Sequence, residues 1–166
     1  MEILARNSLR IVHVEDDNDF AQLNGIFLKR AGFNHPIVHC TDGTQALCYF
    51  SMIEPEQAPH VILLDLHMPH MNGLEVLHWL RHNYSEPDVA VYLLTSSDDP
   101  EDRRRAVADD VTKYLLKAPS FEELIQSLDH LIAVSNNGRL VTVSEKGDAM
   151  AGLAYMDEGT AEMAVV

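Results

Sequence analysis

Five short apolar runs, each followed by a helix-like pattern, constrain the fold of this chain more than any other feature. The clearest run covers residues 61–64, where four apolar residues lead directly to the carboxylate of Asp65. Unbroken apolar runs of this length are typical of strands that are buried on both faces of a parallel sheet. We therefore predict an α/β fold in which helices cover both faces of a doubly wound, five-stranded parallel sheet. The predicted strands are residues 9–14, 36–40, 61–65, 89–95 and 112–116.

Capping residues mark where the predicted helices begin. Asp42 opens the second helix, and Asn72 is a good N-cap for the third. Asp99 and Pro100 suit the N-cap and the first position of the fourth helix. Ser120 is expected to cap the fifth helix. Each helix thus follows its strand through a loop, as a chain of β–α units requires.

Composition limits the partners of the chain. Its 166 residues carry a net charge of −14, which predicts that it does not bind nucleic acid, because a phosphate backbone attracts basic surfaces. No apolar run approaches the ~20 residues of a membrane helix, and the N-terminus does not look like a secretory signal. The cysteines, Cys40 and Cys48, favour reduced thiols over a disulfide framework. We therefore expect a cytoplasmic protein.

Charged and polar side chains follow the predicted strands. Glu15 and Asp16 follow the first strand, Asp65 and Thr95 end the third and fourth, and Lys117 follows the fifth. Because the carboxyl ends of parallel strands meet at one edge of a sheet, these side chains should converge there. Clustered carboxylates repel each other unless a cation neutralises them, and their oxygens suit magnesium. The pattern predicts phosphoryl transfer to Asp65, with Thr95 and Lys117 holding the product.

These residues and their order resemble the receiver domain of two-component response regulators. The resemblance covers about residues 8–134. It implies a flavodoxin-like fold with strand order 2-1-3-4-5, a sensor histidine kinase as partner, and a signalling phosphoacceptor rather than an enzyme. The motifs that carry it are Glu15-Asp16, Asp65 within LLDLHMPHMNG, Thr95-Ser96 and Lys117.

The resemblance also assigns roles within the site. It implies that Tyr114 moves inward when Thr95 moves to the phosphoryl group. It further places His67 and Ser97 beside the path of the water that hydrolyses the phosphoryl group, so both should tune its lifetime. The implied magnesium ligands are Glu15, Asp16, Asp65 and the backbone carbonyl of His67.

Output is expected from the face formed by the fourth helix, the fifth strand and the fifth helix, which in similar proteins often forms a twofold dimer. Basic residues 103–105 and acidic residues 109, 110, 122 and 123 would lie on this face and could pair across the axis. Residues 135–166 form a tail or arm in our interpretation, and it would assist dimerisation. The segments TSSDDPEDRRRA and TDGTQAL are similar to those of stand-alone regulators that partner bacterial phytochromes.

The sequence departs from the receiver pattern at two places. Receivers usually carry Lys-Pro with a cis peptide bond, whereas here the order is Lys117-Ala118-Pro119. A cis bond before Ala118 would cost ~2.5–4 kcal/mol, so either this strain is present or the loop is rebuilt. After the fourth helix, Asp109 and Asp110 replace the usual small residue and glycine.

Other functions were weighed against this interpretation. A dehalogenase-type hydrolase would need a second Asp where His67 stands, and the acidic residues 15–17 would repel the phosphate of a nucleotide or flavin. A scaffold receiver that no longer accepts phosphate stays as the alternative. His78 and His82 are one helical turn apart and could bind a metal, although a solvated helix face is the favoured interpretation.

Overall fold

The structure, a computed structural model, contains the predicted parallel sheet. It describes residues 2–3, 6–84, 88–117, 121–130, 134–136 and 139–141. The strands are β1 Glu2–Ile3, β2 Ile11–Val14, β3 Val38–Cys40, β4 Val61–Asp65, β5 Ala90–Thr95, β6 Lys113–Leu116, β7 Val134–Asn136 and β8 Arg139–Val141.

The five central strands are parallel and lie in the order β3-β2-β4-β5-β6. This confirms the predicted order 2-1-3-4-5. The register pairs Val14 with Leu64 and Asp65 with Leu94, so the carboxyl ends of β2, β4 and β5 reach the same edge of the sheet. The charged residues that follow these strands are thereby brought together.

Helices cover both faces of the sheet, as predicted. Leu28 of the first helix and Leu124 and Leu128 of the fifth belong to one buried apolar cluster. The second, third and fourth helices contribute residues such as Phe50 and Leu77 to a separate cluster on the other face. The helices are α1 Asn18–Arg30, α2 Gly43–Met52, α3 Gly73–Asn83, α4 Pro100–Ala108 and α5 Phe121–His130, with short 3-10 helices at Arg6–Ser8 and Pro55–Gln57.

The predicted caps of the second, third and fourth helices are present. The side chains of Asp42 and Asp99 accept hydrogen bonds from backbone N–H groups of α2 and α4. Asn72 caps α3 in a capping box, in which the Glu75 side chain also accepts from the Asn72 N–H. The predicted cap at Ser120 lies outside the described residues.

Four of the five predicted strands begin later than expected: β5 and β6 by one residue, at Ala90 and Lys113, and β2 and β3 by two. β3 begins at Val38 rather than at Pro36, whose ring nitrogen has no hydrogen to donate to a strand ladder. β2 begins at Ile11, because the preceding N–H of Arg10 donates to the His60 ring instead of to a strand. These shifts leave the carboxyl ends of both strands where the sequence predicted them.

A second, smaller sheet joins the two ends of the described chain. β1 pairs antiparallel with β7, and β7 pairs antiparallel with β8. The segment interpreted as a tail or arm thus contains part of β7 and all of β8, and residues 137–138 and 142–166 lie outside the described part of the chain. Among the helices that the structure describes, none combines the length and the apolarity needed to cross a bilayer.

Candidate functional site

Three carboxylates and one ammonium group meet at the carboxyl edge of the sheet. Glu15 and Asp16 follow β2, and Asp65 is the last residue of β4. One carboxylate oxygen from each of these three residues lies within 4.8 Å of those of the other two. Glu15 and Asp65 are buried, whereas Asp16 is exposed. The cluster thus has a buried floor and an opening to solvent on the side of Asp16.

Lys117 holds the two buried carboxylates together. Its Nζ donates to Oε1 of Glu15 at 2.9 Å and lies 2.8 Å from Oε2 of Glu15 and 3.2 Å from Oδ2 of Asp65. The Lys117 N–H donates to the carbonyl of Thr95 at 2.7 Å, which fixes the start of the loop. The ammonium also lies 4.7 Å from the ring centre of Phe20, a cation–π contact. The peptide bond between Lys117 and Ala118 lies outside the described residues.

Burial shifts the pKa values of the acidic groups upward. Desolvation raises the pKa of Glu15 to about 7; the Lys117 hydrogen bond opposes the shift, and the charge of Asp65 adds to it. Burial likewise raises the pKa of Asp65 against the opposing charge of Lys117. Burial would lower the pKa of Lys117, but its bonds to Glu15 and Asp65 raise it instead. Burial thus disfavours the charged form of both buried carboxyl groups, even though an ammonium group lies beside them.

The residues present fit a magnesium ion. Oε2 of Glu15 is buried, and the Lys117 ammonium 2.8 Å away is its one close polar contact among the described residues, which leaves a lone pair for a cation. The donor set consists of carboxylate oxygens, which are the ligands of hard divalent cations. A second cation would also stabilise the charged forms of Glu15 and Asp65, which burial disfavours.

Comparisons with known proteins agree with this geometry. The family described as "Response regulator receiver domain" matches residues 11–129. The chain belongs to the response regulator receiver family. A probable methanogenesis regulatory protein, FilR2 of Methanothrix harundinacea, is 34% identical over 129 residues, which are 76% of this chain and 83% of that protein.

Solved receiver structures resemble the chain in fold. The Mn²⁺-bound response regulator Rcp1 is 28% identical with a TM-score of 0.61, covering 71% of this chain and 87% of that one. The phosphorylated cyanobacterial phytochrome response regulator RcpA is 27% identical with a TM-score of 0.61, covering 71% and 86%. The chain spans about half the length of several other relatives, which are named transcriptional or DNA-binding regulators.

In this receiver, Thr95 and Tyr114 are connected through Ser97. Thr95 is buried, and its hydroxyl accepts from the Ser97 N–H at 3.0 Å. The Tyr114 hydroxyl donates to the Ser97 carbonyl at 3.1 Å, and the Arg103 guanidinium lies 4.6 Å from the centre of its ring. Asp99 caps α4, so the structure does not support a capping role for Thr95.

The backbone and the ring of His67 make separate contacts. The His67 N–H donates to Oδ1 of Asp65 at 3.3 Å. Its ring is exposed, with Nε2 3.7 Å from Oδ2 of Asp102 on α4. The imidazole thus extends from the site toward α4, while the backbone contacts the carboxylate.

Several residues that support the receiver site escaped the sequence analysis. A Cβ at Gly73 would lie 2.2 Å from the carbonyl oxygen of Asp65, so only glycine fits under this strand end. His39 donates through Nε2 to the carbonyl of Glu15 at 2.8 Å. Burial lowers the pKa of His13 to about 3, so its ring, 3.9 Å from Glu15, is neutral and forms no ion pair. These roles depend on close three-dimensional packing: Gly73 lies within the LLDLHMPHMNG segment, but the segment does not show how near its Cα lies to the Asp65 carbonyl.

Proposed function

We propose that this receiver accepts a phosphoryl group on Asp65 from a sensor histidine kinase and passes the signal on through a change of its surface. The observation that carries the proposal is the position of the Asp65 carboxylate. It lies at a sheet edge within 4.8 Å of oxygens of Glu15 and Asp16 and 3.2 Å from the Lys117 ammonium. A buried carboxylate with this surrounding charge is suited to bind and orient a phosphoryl group.

In the proposed reaction, a carboxylate oxygen of Asp65 attacks the phosphorus of a phosphohistidine. The new bond is a P–O bond to Asp65, and the P–N bond breaks so that its electron pair returns to the imidazole of the kinase. The Lys117 ammonium already contacts both buried carboxylates, so it can also pair with the negative charge that the phosphoryl group adds to Asp65. The Thr95 hydroxyl, which now accepts from Ser97, has a proton with which to donate to a phosphoryl oxygen.

Magnesium is the cofactor that we propose for this step. Glu15, Asp16, Asp65 and the backbone carbonyl of His67 would hold it. When bound, the ion would supply charge neutralisation for the transferring phosphoryl oxygens. The unused Oε2 lone pair of Glu15 supports this assignment.

Phosphorylation with a small donor tests the proposal. Acetyl phosphate with Mg²⁺ should add one phosphoryl group to the chain, seen as one mass increment by intact-protein mass spectrometry. Asp65→Asn or chelation of the metal should abolish the increment. Asp99→Asn is the matched control, because Asn is also a good N-cap and the exposed change leaves the site intact.

The alternative, a scaffold receiver that acts without phosphorylation, gives the opposite result. The wild-type chain would then gain no phosphoryl group from acetyl phosphate or from any sensor histidine kinase at saturating Mg²⁺. Full labelling of Asp65→Asn would move the acceptor to another residue. The buried carboxylate pair and its lysine favour the phosphoacceptor over the scaffold.

The similarity to a cyanobacterial phytochrome response regulator supports a phytochrome kinase as the donor. Incubation of the chain with phytochrome-type and other sensor histidine kinases and labelled ATP tests this choice. Transfer from a phytochrome kinase at a rate well above that from the others is the expected result. The prediction that the chain binds no nucleic acid stays a prediction, because some relatives are named DNA-binding response regulators.

For output, we propose a twofold dimer through the face formed by α4, β6 and α5. Within one chain, Arg103 pairs with Asp98 at 3.1 Å, and Arg104 pairs with Glu101. In the dimer, ion pairs between the two chains would have to replace these exposed pairs within each chain. Exposed pairs contribute only ~0–1 kcal/mol each and would set the register. Sedimentation should show a dimer that phosphorylation strengthens and that salt, Arg104→Glu or truncation after residue 135 weakens. A monomer in both states at high micromolar concentration would contradict it.

A further inference from the structure

Two exposed histidines on α3, His78 and His82, form a pair that the phosphoacceptor site does not use. They lie one helical turn apart on the solvent face of the helix. Their ring centres are 4.4 Å apart, with the ring planes inclined by 56°. The carboxylate of Asp109, which follows α4, lies 3.1 Å from Nδ1 of His78. The cluster is thus formed by the outer face of α3 and the end of α4.

Hydrogen bonds fix which nitrogen of each ring carries the proton. Nδ1 of His82 lies 2.8 Å from the carbonyl oxygen of His78, which can only accept. Nδ1 of His78 lies 3.1 Å from a carboxylate oxygen of Asp109, which also accepts. In the neutral form of each ring, Nδ1 therefore holds the hydrogen and Nε2 holds the lone pair. Neither Nε2 atom has a hydrogen-bond partner in the described part of the chain.

This arrangement is the one found around metal-ligating histidines. A ligating imidazole usually donates its second ring N–H to a carboxylate or a backbone carbonyl, which orients the ring and raises its basicity. Here the Asp109 carboxylate accepts from Nδ1–H of His78, and the backbone carbonyl of His78 accepts from Nδ1–H of His82. Two oriented lone pairs on one helix face can bind the same ion.

We propose that His78 and His82 bind a divalent transition-metal ion through their Nε2 atoms, with Asp109 as the residue that positions His78. Imidazole nitrogens select Cu²⁺, Ni²⁺ and Zn²⁺ over the hard cations Mg²⁺ and Ca²⁺, and the usual order of affinity places Cu²⁺ first. Water completes the coordination, since the two rings are exposed. The site is chemically distinct from the all-oxygen cluster of Glu15, Asp16 and Asp65.

Because the proposed site joins α3 to the end of α4, metal binding there should affect the stability of the folded chain. His78 belongs to α3, and its Asp109 partner terminates α4, which forms part of the proposed output face. An ion bound to the two rings would hold the His78 imidazole in the orientation that contacts Asp109. Binding should therefore stabilise the folded chain, because a ligand that binds only the folded state raises its stability.

The test uses the full chain with Cu²⁺ or Ni²⁺ as the probe and Mg²⁺ in large excess, so that the acidic cluster does not compete. Calorimetry with Ni²⁺ measures affinity, and the electron paramagnetic resonance spectrum of bound Cu²⁺ reports the number of coordinated nitrogens. His78→Gln and His82→Gln should each weaken binding about tenfold or more, and Asp109→Asn by several-fold. His35→Gln, at another exposed histidine, is the matched control and should change nothing.

The expected Cu²⁺ spectrum shows two imidazole nitrogens in the wild-type chain and fewer in either histidine variant. Ni²⁺ should also raise the melting temperature of the wild-type chain and leave that of the double variant His78→Gln/His82→Gln unchanged. The proposal is overturned if the double variant binds Ni²⁺ as tightly as the wild type, or if the spectrum shows at most one nitrogen. Unchanged affinity in Asp109→Asn would overturn the positioning role of that carboxylate.

Discussion

Ionisable side chains are buried at both the amino edge and the carboxyl edge of the central sheet, where its strands begin and end, but their surroundings differ. At the amino edge, the His60 side chain is buried, and its ring Nδ1 accepts from the Arg10 backbone N–H at 2.9 Å. The backbone N–H of His60 donates to the Arg10 carbonyl, also at 2.9 Å. At the carboxyl edge, Glu15 is buried, and the Lys117 ammonium is the one close polar contact of its Oε2 among the described residues. The His60 ring is hydrogen-bonded in the neutral form that burial favours, whereas burial disfavours the charged form of Glu15.

The difference separates a structural polar residue from a functional one. Burial lowers the pKa of His60 to about 4, so the ring is neutral at pH 7 and its bond to Arg10 suits that form. Burial raises the pKa of Glu15 to about 7, which shows that the folded chain without metal disfavours the carboxylate. A buried group that its surroundings leave unsatisfied is a candidate for binding something else. The carboxyl edge meets that condition and the amino edge does not.

The largest effect is expected from the packing under the carboxyl edge. Gly73→Ala places a Cβ 2.2 Å from the Asp65 carbonyl oxygen, so the backbone that carries the acceptor must shift. We expect a loss of about 3 kcal/mol in the free energy of unfolding, together with slower phosphorylation. Gly25→Ala is the matched control: nothing lies within 4 Å of its Cβ, and alanine favours the α1 interior. Equal stability of the two variants in urea unfolding would show that the site does not depend on glycine at position 73.

Removing charge at the carboxyl edge should weaken metal binding. The double variant Glu15→Gln/Asp16→Asn keeps one oxygen of each side chain, replaces the other by an NH2 group and removes both acidic groups. Magnesium affinity, measured by calorimetry, should fall about tenfold or more. Asp17→Asn is the control, since Asn also serves as the N-cap of α1. Unchanged affinity in the double variant would place the metal elsewhere.

The two edges should respond to pH with opposite signs. The pKa of His60 is lowered to about 4 in the folded state, so its stabilising effect is complete above the unfolded value of 6.5 and is lost as pH falls toward 4. The expected loss is about 1 kcal/mol between pH 6 and pH 5, and His60→Asn should remove it. Urea unfolding at a series of pH values measures this slope.

Glu15 gives the opposite slope in the absence of metal. Its pKa is raised to about 7 from its ordinary value of 4.5, so its contribution to stability is present at low pH and is lost as pH rises from 4.5 through 7. Glu15→Gln should remove this fall. If both variants change the slope in the same direction, the contrast between the edges is wrong.

The smallest effect concerns the lifetime of the phosphoryl group. The exposed His67 ring extends toward Asp102, while the His67 N–H contacts Asp65. Replacing the ring in His67→Asn should alter the decay rate of the phosphorylated chain several-fold, because the ring screens the acceptor from water. Decay is followed by mass spectrometry after removal of the donor, with His35→Asn as the control. Identical decay curves would show that the ring plays no part.

Sequence reasoning found the parts of the site that strand pattern alone can locate. Asp65 and Thr95 end apolar runs, and Lys117 closely follows another, so a parallel sheet brings their strand ends to one edge. It missed Gly73, whose need for glycine arises from the close approach of the Asp65 carbonyl. It also missed Phe20, whose ring contacts the Lys117 ammonium. Both roles depend on contacts between residues that are distant in sequence.

The sequence by itself determined the alternation of strands and helices, the helix caps and the set of charged residues at one edge of the sheet, because these follow from local periodicity and from the direction of parallel strands. Tertiary structure decided how the charges are paired. The Lys117 ammonium bonds to Glu15, 102 positions away, and the oriented His78 ring needs Asp109, 31 positions away. Such pairings depend on distances of a few ångströms between separate elements, and these distances are set by packing, which local sequence patterns do not encode.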